Sequence, residues 1–435
     1  MKQLLKIFLG LTTGIVMLFS QIAYAQNMVE DQKQDYQFLL YNYHFKLGME
    51  EGAYNLDSLH RLISLATDNI SDKILYKKNI SSEKEMKKWT EIGKRTGKYI
   101  LLDSPLSLLL SLIQHEYFGH GARARGFGVP VKEYSIYLTY PIGGGGSVIT
   151  SGKPKGIDRE MLFQTGGSEA NTIYSQVLKK EFFKCNRMEY YRCLTFIRSK
   201  LDLPGYIFFS TKEIDDPDFG KASDIESYIT QVNTKYLGTN TLRSNFKITP
   251  EKLKKSAIFS LLDPMLYIAG YNLLTYIYKG KRLFKIPMIK IGKASFLPGT
   301  RFHTTPFGSE YYLDGYLKMN EKAFLAYARI GDGVFADFWG LGVDVDNLIV
   351  SEHFIVGGGI DFWRQPSITN EETAKNTDLR NGFNMKANFT IPLKSLIGSN
   401  LTDLKFKIGY KTEGFLMGEI LGEDIYANIG LICRF

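Results

Sequence analysis

The sequence predicts an α+β chain, mainly helical in its amino-terminal part and antiparallel β after that, and three observations carry the expectation. Apolar residues recur at helical spacing through much of 26–282, and one run, Leu106–Ile113, is apolar almost without relief. From about Arg282 this periodicity gives way to short alternating segments separated by Gly, Asn and Asp. The organisation read from them is a leader at 1–25, a helical region at 26–282 and, at 283–435, an antiparallel β region expected to close as a barrel.

Lys2 and Lys6, an apolar centre from Ile7 to Phe19 and Ala23-Tyr24-Ala25 before Gln26 read as a secretory signal peptide, so the chain is expected in the cell envelope. The remaining length is enough for a sizeable core and more than one domain. A formal charge of +9 spread along the chain suits anionic surfaces, and no nucleic-acid motif accompanies it. Three cysteines make no disulfide framework; Cys185 and Cys193 are read equally as a bridge or as two thiols. The 27 Tyr and 29 Phe fit a chain that meets a membrane interface.

Tyr36–Leu47 and Leu56–Ala66 show helical spacing, and Lys77–Lys98 is a charged stretch ahead of the apolar run. His44 and His60 are isolated and read as structural. Asp103-Ser104-Pro105 offers a cap and a first-turn proline to a helix that is apolar all round, hence buried in a core or in lipid. At its end, His115-Glu116-Tyr117-Phe118-Gly119-His120 is read as an H-E-x-x-H element, with two imidazoles on one helical face able to share one tetrahedral ion and Glu116 beside them. Zinc hydrolysis needs that set, because the ion acidifies a bound water and a carboxylate takes its proton. The bland alternative is a pair of hydrogen-bonded histidines.

Val129–Tyr140 reads as a strand and Pro141–Ser147 as a flexible loop, whose Gly144 and Gly145 are candidates for pairing with an extended peptide. In Gly166–Gln176, Ser168 is expected to cap a helix with Glu169 in its first turn. Glu169 is either a carboxylate favoured by the helix dipole or the third metal ligand, and Asn171 either orients it or binds substrate. Arg123 and Arg125 are candidate oxyanion donors. Ala257–Tyr278 is long enough to cross a bilayer, and Asp263 within it is the rival third ligand. The expected strands are Tyr311–Met319, Ala323–Ile330, Val334–Val345, His353–Phe362, Phe383–Ile391, Leu404–Tyr410 and Ile425–Phe435. In the last, Ile425, Ala427, Ile429, Leu431, Cys433 and Phe435 face one way while Tyr426, Asn428 and Arg434 face the other. A chain ending in an aromatic residue on such a strand resembles Gram-negative outer-membrane β-barrel proteins.

The stretch from His115 to His120, followed by Ala124–Val131 and Ser135-Ile136, is similar to the motif helix and following strand of membrane-associated zinc metallopeptidases of the site-2 protease type. Gly167-Ser168-Glu169-Ala170-Asn171 resembles that family's later glycine-to-asparagine turn, with Ser168 where proline usually stands. The resemblance implies Zn2+ held by His115 and His120 with Glu116 as general base. That family takes its third ligand from an aspartate followed by glycine, whereas Asp263 is followed by Pro264. Glu169 instead resembles the downstream-helix glutamate of other zinc peptidases and is the preferred ligand. The expectation is an exported zinc metallopeptidase acting on peptide or protein at a membrane, with the outer membrane as its location. Its alternatives are a non-catalytic outer-membrane barrel or transport protein with a structural metal, and a zinc hydrolase of lipid or cell-wall amides.

Overall fold

The computed structural model describes residues 35–75, 84–139, 143–220, 223–319, 322–368, 378–393 and 402–434. The expected leader and Tyr140–Ile142 lie outside these residues. The chain is α+β: helices in the amino-terminal part and a ten-stranded antiparallel sheet built almost wholly from the carboxy-terminal part.

The sheet is a meander. Its strands are β6 (Ile289–Ile291), β7 (Ala294–Thr305), β8 (Gly308–Met319), β9 (Lys322–Gly333), β10 (Phe338–Val350), β11 (Ile355–Pro366), β12 (Leu379–Pro392), β13 (Thr402–Lys411) and β14 (Asp424–Arg434). Each pairs with its neighbour in sequence, and β1 (Asp35–Asn42) adds to the far side of β14. Tyr36–Leu47 is therefore corrected from a helix, since most of it belongs to β1, paired from Asp35↔Arg434 to Asn42↔Asn428. A register shift between Leu39 and Tyr41 breaks the alternation that would have marked it as a strand. No pairing between β1 and β6 occurs among the described residues.

The two faces of the sheet differ in chemistry. Leu313, Ile330, Leu341, Phe362, Met385, Ile408 and Ile425 are exposed on one face. Arg301, Glu310, Asp314, Arg329, Asp361, Lys407 and Lys411 are buried on the other, against the helices. There Arg301 makes a bidentate pair with Asp314 at 2.8 and 2.8 Å, and Arg329 meets Glu310 at 2.8 Å. A polar cavity of about 330 Å³ lies between this face and the helices, bordered among others by Lys180, Lys184, Asp344, Asp346, Lys386 and Lys405.

The helical layer comprises α1 (Met49–Leu75), α2 (Lys84–Lys98), α3 (Ser104–His115), α4 (Gly121–Gly126), α5 (Ile157–Cys185), α6 (Tyr190–Phe209), α7 (Asp224–Leu237), α8 (Pro250–Ala257) and α9 (Pro264–Lys279). Strands β4 (Met188–Glu189) and β5 (Leu283–Phe284) pair beside it, and β2 (Val131–Thr139) with β3 (Gly143–Thr150) forms a separate hairpin. Three segments differ from what their sequence predicts. The glycines expected in a loop lie in β3, where Gly144 faces Leu138 and Gly145 faces Tyr137. Ser168 and Glu169 do not start a helix, because α5 runs unbroken past Gly166 and Gly167. Nor is Ala257–Tyr278 a single straight span: it bends by 64° at Asp263-Pro264, where proline starts α9 and Asp263 caps it through the Met265 amide at 3.0 Å. Cys185, Cys193 and Cys433 are all unbridged.

Candidate metal centre

The motif is one residue longer than H-E-x-x-H, because Tyr117, Phe118 and Gly119 all stand between Glu116 and His120. Five α-helical steps would set the two imidazoles about 140° apart. The chain avoids this by widening a turn: Glu116–His120 is π-helical, and the Gly121 amide bonds the Glu116 carbonyl five residues back. The imidazole centroids then lie 5.0 Å apart. Glycines let α5 press on this turn, since a Cβ on Gly119 would stand 2.6 Å from the Gly166 carbonyl oxygen. A Cβ on Gly167 would collide with His115 Nε2.

Each imidazole is gripped through Nδ1, which leaves Nε2 to face the centre. His115 Nδ1 lies 3.2 Å from Asp202 Oδ2 on α6, and His120 Nδ1 lies 2.7 Å from the Phe163 carbonyl of α5. Orientation of a ligand histidine through its second nitrogen is the usual arrangement around a metal. Asp202 is itself held by Ser168 and Asn171. Burial pushes the Asp202 carboxyl up, but the His115 charge and these hydrogen bonds outweigh it and hold its pKa below the usual range.

The third group is Asp224, at the first turn of α7, whose Oδ2 stands 3.4 Å from His120 Nε2. Its pKa is likewise lowered, burial being outweighed by His120 and His115. One ligand atom each from His115, His120 and Asp224 lies within 4.8 Å of the others. A tetrahedral ion with bonds of about 2.1 Å holds its ligands roughly 3.4 Å apart, so small side-chain shifts close the set. The buried His115 Nε2 has no hydrogen-bond partner, and the missing Cβ of Gly167 leaves room beside it. An uncompensated buried nitrogen is costly, and a cation answers that cost. Three protein ligands would leave a fourth position for water, and the third-exposed Asp224 side chain is the most accessible of the three.

The structure brings His115, Glu116 and His120 together and takes the expected third ligands elsewhere. Glu169 binds Arg123 through both oxygens, one at 2.9 Å, and accepts the Gly418 amide at 2.7 Å. Asp263 joins Lys179 at 2.7 Å and Lys200 at 3.1 Å. Neither Arg123 nor Arg125 is a free donor: Arg123 also holds the Glu419 carbonyl, and Arg125 holds the carbonyls of Phe45, Leu47 and Tyr117. Asn171 supports Asp202 and does not orient Glu169. Gly146, rather than Gly144 or Gly145, abuts Glu116, where a Cβ would lie 2.6 Å from Oε1.

The sequence reading missed Asp202 and Asp224. Asp202 carried a usable signal, an acid between Leu201 and Leu203 in an apolar helix, the same signal that had singled out Asp263. Asp224 carried none beyond being an acid in a first helical turn. Comparisons with protein-family models, with curated proteins and with solved structures found no match to this chain.

Proposed function

We propose that this chain is an exported, membrane-associated zinc metallopeptidase whose sheet sits as a barrel-like wall in the outer membrane. The observation that carries the reading is the unpartnered His115 Nε2, aimed at the point His120 and Asp224 share, with Glu116 adjoining. When bound, zinc would supply a Lewis acid and lower the pKa of water to about 7. Glu116 accepts the proton of the attacking water and returns it to the leaving amine. Asp202 keeps the His115 proton on Nδ1, and the Phe163 carbonyl does the same for His120. Among the described residues no strand pairs with the β3 edge facing away from β2, where an extended peptide would add, and Gly146 lets β3 itself pass close to Glu116. Apolar residues outside and charged residues inside the sheet support a lipid setting. Zinc content of the wild type beside His120→Ala, with peptide hydrolysis by Glu116→Gln, tests the reading. About one zinc per chain, lost in the first variant, and inactivity with retained zinc in the second are the expected results.

A second reading, a non-catalytic barrel with a structural metal, draws on the charged cavity against the inner face of the sheet. Conductance across planar bilayers that is indifferent to His115→Ala would favour it.

A further inference from the structure

Among the described residues β1 and β6 are the two outermost strands of the sheet, and the β6 side meets the helical layer. Strand β6 covers β7 only from Ala294 to Phe296. Beyond that point no strand among the described residues pairs with β7 on that side, and Pro298 stands there, as proline does at edges. Its open carbonyls are taken by helix-borne lysines: Lys179 donates to Pro298 at 3.1 Å and Lys200 to Thr300. Both ammonium groups also bind Asp263, the cap of α9. The Thr300 hydroxyl donates to the Phe259 carbonyl at 2.9 Å, in the 3₁₀ turn Ile258–Leu262 that leads into α9. The bend at Asp263-Pro264 is thus bolted to the sheet edge, and α9 leaves from it.

The two sides of α9 differ sharply. Met265, Ala269, Asn272 and Tyr276 are buried in the protein. Tyr267, Tyr271, Leu274 and Tyr278, spaced four, three and four residues apart, form one stripe, each with more than half its surface exposed. Ile258 and Leu262 extend the stripe across the bend. Sixteen residues at 1.5 Å each make α9 about 24 Å long, close to the ~25 Å apolar band of outer-membrane barrels. Lys254 and Lys255 precede the stripe, and Lys279 and Lys281 follow it. Tyrosines with basic residues at both ends suit a membrane interface, where rings sit at headgroup depth and ammonium groups reach phosphate.

We infer that α9 faces lipid directly and continues the apolar wall where the strands stop, its flanking lysines meeting anionic headgroups. This rests on the membrane reading of the sheet and goes beyond it, because the helical region itself then forms part of the lipid-facing surface. The partner is a bilayer. A second copy of the chain on the same stripe is the competing occupant.

The test places a benzophenone side chain at Tyr271 or, separately, at Leu341 on the outer face of β10, in the full chain reconstituted into phosphatidylcholine–phosphatidylglycerol vesicles. Illumination followed by mass analysis reads what each position touches. Lipid adducts in comparable yield at both positions are expected. Lipid at Leu341 with none at Tyr271, or a chain-to-chain dimer at Tyr271, overturns the inference and leaves the membrane reading standing. Lipid at neither position removes that reading too. If substitution at Tyr271 prevents folding, the same group at Leu274 or Tyr278 reports the same stripe.

Discussion

Two of the regions in which this molecule buries charged side chains treat them differently. Against the sheet they close on one another: Arg301 with Asp314, Arg329 with Glu310, Lys179 and Lys200 with Asp263. Around the π-helical turn they form a chain that stops short, from Ser168 and Asn171 to Asp202, from Asp202 to His115, and then to a nitrogen with no partner. A buried pair that closes is structural, and breaking it leaves an uncompensated charge. A buried chain that ends on a lone acceptor invites a ligand. That contrast separates Glu169 from Asp224 better than proximity in sequence does.

The comparison can be broken most severely at Glu116. Glu116→Gln is expected to keep zinc and lower peptide turnover by about 10²–10⁴-fold, the usual worth of a general base; turnover within a few-fold of wild type removes Glu116 from the mechanism. Next comes the exchange of third ligands. Asp224→Ala should lose the metal at unchanged thermal stability of the metal-free chain. Glu169→Ala should retain the metal and lose about 3–5 kcal/mol, measured by chemical denaturation, because Arg123 is left buried without its partner. Zinc loss from Glu169→Ala with retention in Asp224→Ala would reverse the assignment. Asp202→Asn, which removes the charge behind His115, is expected to weaken zinc about 10–100-fold in a chelator competition, and unchanged affinity would deny Asp202 that role. The metal is touched least at the closed pairs: the double change Arg301→Met with Asp314→Leu should leave zinc content unaltered and be neutral or stabilising by about 1–4 kcal/mol in chemical denaturation, and a destabilisation of that size would count against the contrast.

Most of the strands from Tyr311 onward were legible because outward apolar and inward polar residues alternate along them, as Ile425 and Tyr426 illustrate, although β10 starts only at Phe338 and shifts register against β11 between Val345 and Ile349. The strand Ala294–Thr305 was not, since Pro298-Gly299 interrupts it and is tolerated there only at an edge. Strand β1 was hidden by its register shift. At the centre, the two histidines and Glu116 could be read from their types alone, but the π-helical turn could have been read only by counting the third residue between Glu116 and His120. Asp224 could not be found, because its role depends on where α7 lies and not on its neighbours in sequence.

The widened turn also sets what lies beyond it. In an uninterrupted α-helix His115 and Arg123, eight positions apart, would diverge by about 80°; absorbing one residue leaves seven effective steps and about 20°. His115 beside Gly167, His120 under the Phe163 carbonyl and Arg123 on Glu169 consequently all address α5 from one side. The surplus residue is tolerated by this phasing and does not create it. A chain shortened by one residue within Tyr117–Gly119 would keep the three facings in plain α-helix, whereas one lengthened there would lose them.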